Sequence, residues 1–277
     1  MSTFAIKIQE RMGSAVPNWI PRGVYDKKVY DHIFLKLSDN FIDEECPEKY
    51  DIKGDLMRGA AIKYHSYAKH MNSSQVMCIS FFKKFFEKPE YENILLDILR
   101  SSEIEISAED RIEAAAFEYE PCHKERSNFD FFILLHSGVK ISFEIKYTES
   151  AFGGINPDKN DPYKYDRKWD DIYKDMVSEC PFLAIGKEEF YENYQINRNI
   201  AYAGADDYVL FLTPAANHER GIEKGRKYID ELNHSHIKNL YWEKILEKTK
   251  TSVCDFSELR EYYEKFYDKY IRILDSI

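Results

Sequence analysis

The chain has 277 residues, 44% hydrophobic and 15% aromatic, with a formal net charge of −10. That apolar content excludes wholesale disorder, and no run of ~18 apolar residues is present to span a bilayer. Five scattered cysteines without zinc-ligand spacing, and an N-terminus without a secretory core, fit a cytoplasmic protein. The acidic balance opposes tight binding of long duplex DNA, whose nonspecific affinity comes from lysine and arginine on phosphates. Basic residues nonetheless cluster at 7–11, 22–28, 53–69 and 224–227.

Residues 1–60 read as irregular, punctuated by Gly13, Pro17, Pro21 and Gly23, with Trp19 and Ile20 as an anchor onto the body. Within them Val29, Ile33, Phe34, Leu37 and Phe41 follow a helical rhythm ended by Cys46-Pro47. Residues 58–86 read as a helix in two parts, broken near 71–74, with Ser73 or Ser74 capping the second part. Another helix covers 91–99, and 108–115 fits either state. From Ala116 to Pro121 apolar and polar residues alternate as in a half-buried strand, putting Glu118 and Glu120 on one face. Either can join a metal site; Glu120, beside the strand-ending Pro121, is the one expected, with solvent exposure as the ordinary alternative. Lys124 and Arg126 in the next connection suit phosphate contact or a solvated loop equally.

The stretch FDFFILLHSGVKISFEIKY, 129–147, reads as two strands joined by His136-Ser137-Gly138, a three-residue hairpin closed by a left-handed glycine. A loop centred on Ser137 pairs residues whose numbers sum to 274: Leu135 with Val139, Ile133 with Ile141, Phe131 with Phe143, and Asp130 with Glu144. Side chains alternate faces, so Lys146 shares the face of Glu144. Phe131, Ile133, Ile141, Phe143 and Ile145 form the opposite, apolar face. Two facing carboxylates raise one another's pKa, and a divalent cation removes that penalty. Mg²⁺, which favours one or two carboxylates plus waters and phosphate oxygens, suits the pair, as does Mn²⁺. The backbone carbonyl of Ile145 is a further oxygen ligand, and Lys146 can orient water or hold a phosphate oxygen. The implied reaction is metal-assisted phosphodiester hydrolysis. The plain alternative is a surface hairpin with a Glu144–Lys146 salt bridge.

Asp130 with Glu144-Ile145-Lys146 resembles the catalytic motif of the PD-(D/E)xK nuclease superfamily, which includes many restriction endonucleases. Asn128-Phe129 stand where the motif has its proline. The resemblance implies an α/β, restriction-endonuclease-like core: a helix, a three-stranded meander, a helix and a further strand, giving a central mixed β-sheet flanked by helices. It also implies that Gln75, at the polar start of the helix before the core, approaches the cleft; a capping turn is the structural alternative. In several branches of the superfamily a glutamine and a later basic or aromatic residue on the helix after the lysine strand face the site. Gln195 and Arg198, about one helical turn apart, suit that face, with Arg198 as phosphate clamp.

After Tyr147 comes a long loop, TESAFGGINPDKNDPYKYD, expected over the cleft. Trp169, Ile172, Tyr173, Met176 and Val177 then suggest an amphipathic helix, and a second helix is expected over 188–203. YVLFLT at 208–213 reads as a buried strand closing the core. The remainder reads as helical, with Phe256, Leu259, Tyr263, Phe266, Tyr270 and Leu274 at helical spacing, packed on the body or a dimer partner. Neither an internal repeat nor a phosphate-cradling glycine loop is present. The chain is therefore expected to be a single nuclease domain, 1–277, with its core at about 100–215 and helical extensions at 1–99 and 216–277. The expected activity is Mg²⁺-dependent cleavage of double-stranded DNA, with a homodimer as one arrangement. A structure-selective repair or RNA nuclease, and a non-catalytic nucleic-acid-binding protein, are the alternatives.

Overall fold

The computed structural model describes residues 2–17, 20–122, 125, 127–156, 159 and 161–276. Trp19, Lys124 and Arg126 lie outside the described residues.

A six-stranded mixed sheet runs in chain order: β3 (Asp51–Lys53), β4 (Ile112–Cys122), β5 (Ser127–Leu135), β6 (Lys140–Ile145), β7 (Tyr208–Thr213) and β8 (Ile237–Tyr241). The first three pairings are antiparallel and the last two parallel. The hairpin register is the expected one, with Phe131 opposite Phe143 and Ile133 opposite Ile141. Gly138 takes φ +90, and its N–H closes the turn on the Leu135 carbonyl at 2.9 Å.

Both faces of the sheet are covered. Leu210 and Leu212 of β7 point into one core, while Val209 and Phe211 point into another, so the strand needs a continuous apolar run. The first core receives Phe131, Ile133, Ile141, Phe143 and Ile145 from the hairpin. Against them lies α2 (Ser74–Lys83), whose Phe82 stacks on Phe131 with ring centroids 4.0 Å apart. Ser73 caps it, accepting from the Val76 N–H. The outer side of α2 meets α10 (Ser257–Tyr270), where Tyr262 and Tyr263 donate to the carbonyls of Ser80 and Phe81. Those tyrosines therefore pack on the body. The helices α3 (Pro89–Ser101) and α9 (Trp242–Ser252) complete this layer.

The opposite layer begins with α4 (Lys164–Lys168), which runs through a π-helical turn (Trp169–Tyr173) into α5 (Lys174–Glu179). It continues with α6 (Lys187–Glu192) and α7 (Tyr194–Ile200), and α8 (Arg220–Leu232) links β7 to β8. The helix expected over 188–203 is thus two short ones that meet at Asn193.

The N-terminal third departs most from expectation. Residues 3–15 form α1 (Thr3–Ala15), capped by Ser2, with Phe4, Ala5, Ile8 and Met12 buried along one stripe. The supposed helix from Val29 is instead β2 (Lys28–Phe34), paired with β1 (Arg22–Tyr25) in a separate two-stranded sheet. Asp26 and Lys27 both take positive φ in the turn, matching the twist of paired strands. Residues 58–72 are turns and bends, so only the second part of the proposed helix forms. Neither extension is wholly helical: the sheet draws β3 from 1–99 and β8 from 216–277.

Candidate active site

The site lies where β6 leaves its antiparallel neighbour β5 and continues along its parallel neighbour β7. The β5–β6 ladder reaches Phe131 and Phe143, and one residue on the carboxylate of Asp130 takes over. Its Oδ2 accepts the Ile145 N–H at 2.6 Å. The Lys146 N–H is already bonded to the Leu212 carbonyl at 2.9 Å. The backbone thus presents Asp130, Glu144 and Lys146 on one side of the sheet, as period-two alternation requires.

Glu144 is 2% exposed and fully engaged. Its Oε1 accepts from Lys146 Nζ at 2.6 Å and from Gln195 Nε2 at 2.7 Å, and its Oε2 accepts from Asn199 Nδ2 at 2.7 Å. Three donors on one carboxylate hold it in a single orientation. Asp130 has the opposite environment. Burial raises its pKa well above the ordinary carboxylate range, and the Glu144 charge adds to the rise against the pull of Lys146. Burial lowers the Lys146 ammonium, but the charges of Glu144, Asp130 and Glu149 outweigh it and leave its pKa raised. The Glu144–Lys146 salt bridge is real, yet it sits in a cleft and not on a surface.

That cleft, of about 920 Å³, is lined by Asp130, Glu144, Ile145 and Lys146, and also by Gln75, Glu118, Gln195 and Arg198. Glu118, not Glu120, reaches it. A register shift follows Tyr119, and Glu118 takes φ +48, so simple alternation fails here. Glu118 Oε1 accepts from Gln75 Nε2 at 3.0 Å, and Asn128 bonds Oε2. Gln75 also takes the His65 N–H at 2.9 Å through its own oxygen. It therefore positions Glu118 and the 63–65 segment while facing the cleft. Glu120 is half-buried and does not line the cleft.

Gln195 and Arg198 both line the cleft from α7, as their spacing requires. Gln195 is held from below by Gly153, whose N–H donates to Oε1 at 2.5 Å; a Cβ there would stand 2.9 Å from that oxygen. The long loop after β6 thus anchors Gln195, and Thr148 and Glu149 at its start line the cleft. Arg198 bonds the side-chain oxygen of Asn199 at 3.0 and 3.2 Å. Sequence reasoning missed Asn199, although it stands four residues after Gln195 on the same helical face.

The donor set suits a small hard cation. Two carboxylates adjoin, their mutual repulsion is expressed at Asp130, and Asp130 Oδ1 has no hydrogen-bond partner among the described residues. No group of three His, Cys, Asp or Glu able to hold one ion occurs among the described residues. Two carboxylates plus water or backbone oxygens match the habit of Mg²⁺ rather than a site closed by protein ligands.

A mixed sheet under two helical layers, with an acidic pair and a lysine at the antiparallel-to-parallel switch, defines an α/β protein with a restriction-endonuclease-like core. The family model described as "Restriction Endonuclease associating with ARP" matches residues 16–271, and the chain belongs to that family. No curated protein and no solved structure matches the chain. No helix among the described residues is long and apolar enough to cross a membrane.

Proposed function

We propose that the protein is a Mg²⁺-dependent endonuclease that hydrolyses phosphodiester bonds in DNA. One observation carries this reading: Asp130 is crowded against the fully engaged Glu144, with Lys146 bonded to Glu144 and all three lining one open cleft. A buried like-charge pair is costly and is at home where a cation completes it. Mg²⁺ or Mn²⁺ bound there would offset the charge building on the phosphate and make a bound water more acidic.

The chain's own residues do the remaining work. Asp130 and Glu144 would hold the ion, with the Ile145 carbonyl as a further oxygen. Lys146 orients the attacking water or holds a non-bridging phosphate oxygen. Arg198 clamps a neighbouring phosphate through its planar fork. Gln195 and Asn199 fix the Glu144 rotamer, as partners behind a metal ligand do. Attack by water forms one P–O bond as another breaks; the attacking water gives up a proton to solvent, and the leaving oxygen takes one from solvent. Two copies related by a two-fold axis would present one site to each strand of a duplex. Association with ARP, which the family description names, belongs to the same proposal.

The test is cleavage of supercoiled plasmid with Mg²⁺, Mn²⁺ or EDTA, beside Lys146→Ala and Asp130→Ala. Cleavage that needs the metal and is lost in both variants supports the reading. Cleavage surviving both substitutions places the chemistry elsewhere, and a folded sample that cuts nothing favours a binding protein that keeps the fold.

A further inference from the structure

One wall of the cleft has no part in this chemistry. It is made by Tyr25, Tyr30, His32, His65, Tyr67 and His70. The rings form a connected group. Tyr25 and Tyr67 share a hydroxyl–hydroxyl bond of 2.9 Å, and their ring centroids lie 5.5 Å apart. His70 meets both edge-on, at 5.5 and 5.2 Å, and His32 stands 5.4 Å from His70. None of these contacts is stacked face to face, and Tyr67 is 52% exposed and Tyr25 39%. Ring surface is therefore open toward the cleft.

The group is held in place by the backbone. Ile33 bridges His70, the Phe34 N–H bonds the Lys69 carbonyl, and the Met71 N–H bonds the His32 carbonyl. Segment 69–71 thus acts as a third strand beside β2. Beneath it α1 packs so closely that a Cβ on Gly13 would lie 2.8 Å from Asp31 Cβ. Burial, then the neighbouring His32, pushes His70 down to about 4, and burial lowers His32 too, so both imidazoles are neutral at pH 7. His65, the third imidazole, is instead raised by its hydrogen bond to Glu118, and the rest of the wall, lacking a cation, attracts phosphate poorly. It suits the faces of nucleobases.

We infer that this wall stacks unpaired bases beside the scissile phosphate, so that the substrate is nucleic acid locally opened to expose its bases, as in supercoiled plasmid, and not a uniform duplex. The inference rests on the nuclease reading for the identity of the neighbouring site. In a duplex the base faces are hidden in the stack, whereas an unpaired strand offers them to aromatic side chains. Stacking is also a source of affinity indifferent to charge, which matters for a chain of net charge −10. The exposed Lys28, Lys63 and Lys69 lie on the same segments and can follow the strand's phosphates.

The experiment is fluorescence anisotropy in EDTA, where cleavage plays no part. The probes are a labelled oligothymidylate of about 16 nucleotides, the same length of oligouridylate, an abasic chain of equal length, and a matched duplex. The full chain should bind the oligothymidylate at least about tenfold more tightly than the abasic chain or the duplex. Tyr67→Ala and Tyr25→Ala should each weaken that binding by roughly 5- to 150-fold, the loss of one stacked base. Tyr67→Phe, which keeps the ring, should stay within about twofold, and abasic binding should change in none of them. Oligouridylate bound as well as oligothymidylate extends the wall to RNA; weaker binding restricts it to DNA, and both outcomes keep the stacking. Duplex bound as tightly as the single strand, alanine variants that bind like the parent, or no binding of any probe would each overturn it. Stacking without metal-dependent cleavage of either plasmid or the oligothymidylate removes the nuclease reading alone, and metal-dependent cleavage with an inert wall removes this inference alone.

Discussion

On the floor of the cleft, Asp130, Glu144 and Lys146 stand on strands covered on both faces by apolar cores. On the N-terminal wall, Tyr25, Tyr67 and His70 stand on and beside a two-stranded sheet of its own, with Val24 and Val29 open to solvent. The floor spends burial on like charges, which is tolerable only where dense packing fixes the geometry. The wall keeps neutral rings partly exposed and borrows rigidity from α1 and segment 69–71. Chemistry that depends on ångström placement sits at the centre of the sheet, and a surface that need only offer flat faces sits on an appended hairpin.

Changes on the floor should be the most damaging. Lys146→Ala or Asp130→Asn should lower plasmid cleavage by roughly 10²- to 10⁴-fold, the range for positioned catalytic groups, with an unchanged circular dichroism spectrum. One step outward, Asn199→Ala or Gln195→Ala removes one of the donors holding Glu144 and should cost about 10- to 100-fold in metal affinity or rate. Rates equal to the parent in both variants would mean that Glu144 needs no such support.

The same floor should be a stability cost in the absence of metal. A carboxyl whose folded pKa is raised holds its proton after the unfolded chain has released its own. The metal-free fold therefore loses stability as pH climbs from 3.8 through the folded value. Asp130→Asn keeps the oxygen that accepts from Ile145 and deletes the charge. In EDTA at pH 7 it should raise the Tm by about 2–4 °C, corresponding to about 1 kcal/mol for a chain of this size. A lower Tm would show that Asp130 is a structural partner.

The wall should respond least, and in the opposite pH direction. His70 titrates at about 4 when folded and at 6.5 when free. Between those values the unfolded chain takes up a proton that the fold refuses, so stability is full above 6.5 and falls as pH drops toward 4. Hydrogen exchange in β1, β2 and 69–71 should quicken across that window before exchange in β5 and β6. Equal response in both regions would deny the wall its separate character.

The two regions also differed in how far sequence revealed them. β5 and β6 announce themselves because both bury one face, and a one-residue slip would put Phe131, Ile133, Ile141 and Phe143 in water. β7 is bracketed by Asp206-Asp207 and Pro214 and runs apolar on both faces. β2 carries no such constraint: Val29 is solvent-exposed, its apolar spacing also fits a helix, and its turn is Asp26-Lys27, without the glycine or asparagine that marks such turns. The stripe Phe4, Ile8, Met12 behind Ser2 did announce α1 and was passed over as irregular chain. β8 is a short edge strand between α8 and α9, too brief to stand out from helical neighbours.

At the site, alternation and helical spacing placed Asp130, Glu144, Lys146, Gln195 and Arg198 around one cleft. They failed at Glu118, because a positive φ on a glutamate within a strand follows from tertiary packing that no local pattern encodes. Asn199 lay within reach of the same helical spacing.

The most direct test of the central claim is a Mn²⁺ titration of the metal-free protein, read by the electron paramagnetic resonance signal of free ion. The parent should take up Mn²⁺ with release by excess Mg²⁺, and Asp130→Asn and Glu144→Gln should each lose most of that uptake while staying folded. Equal uptake by parent and variants, or none by a folded parent, would contradict a divalent ion held between these two acids.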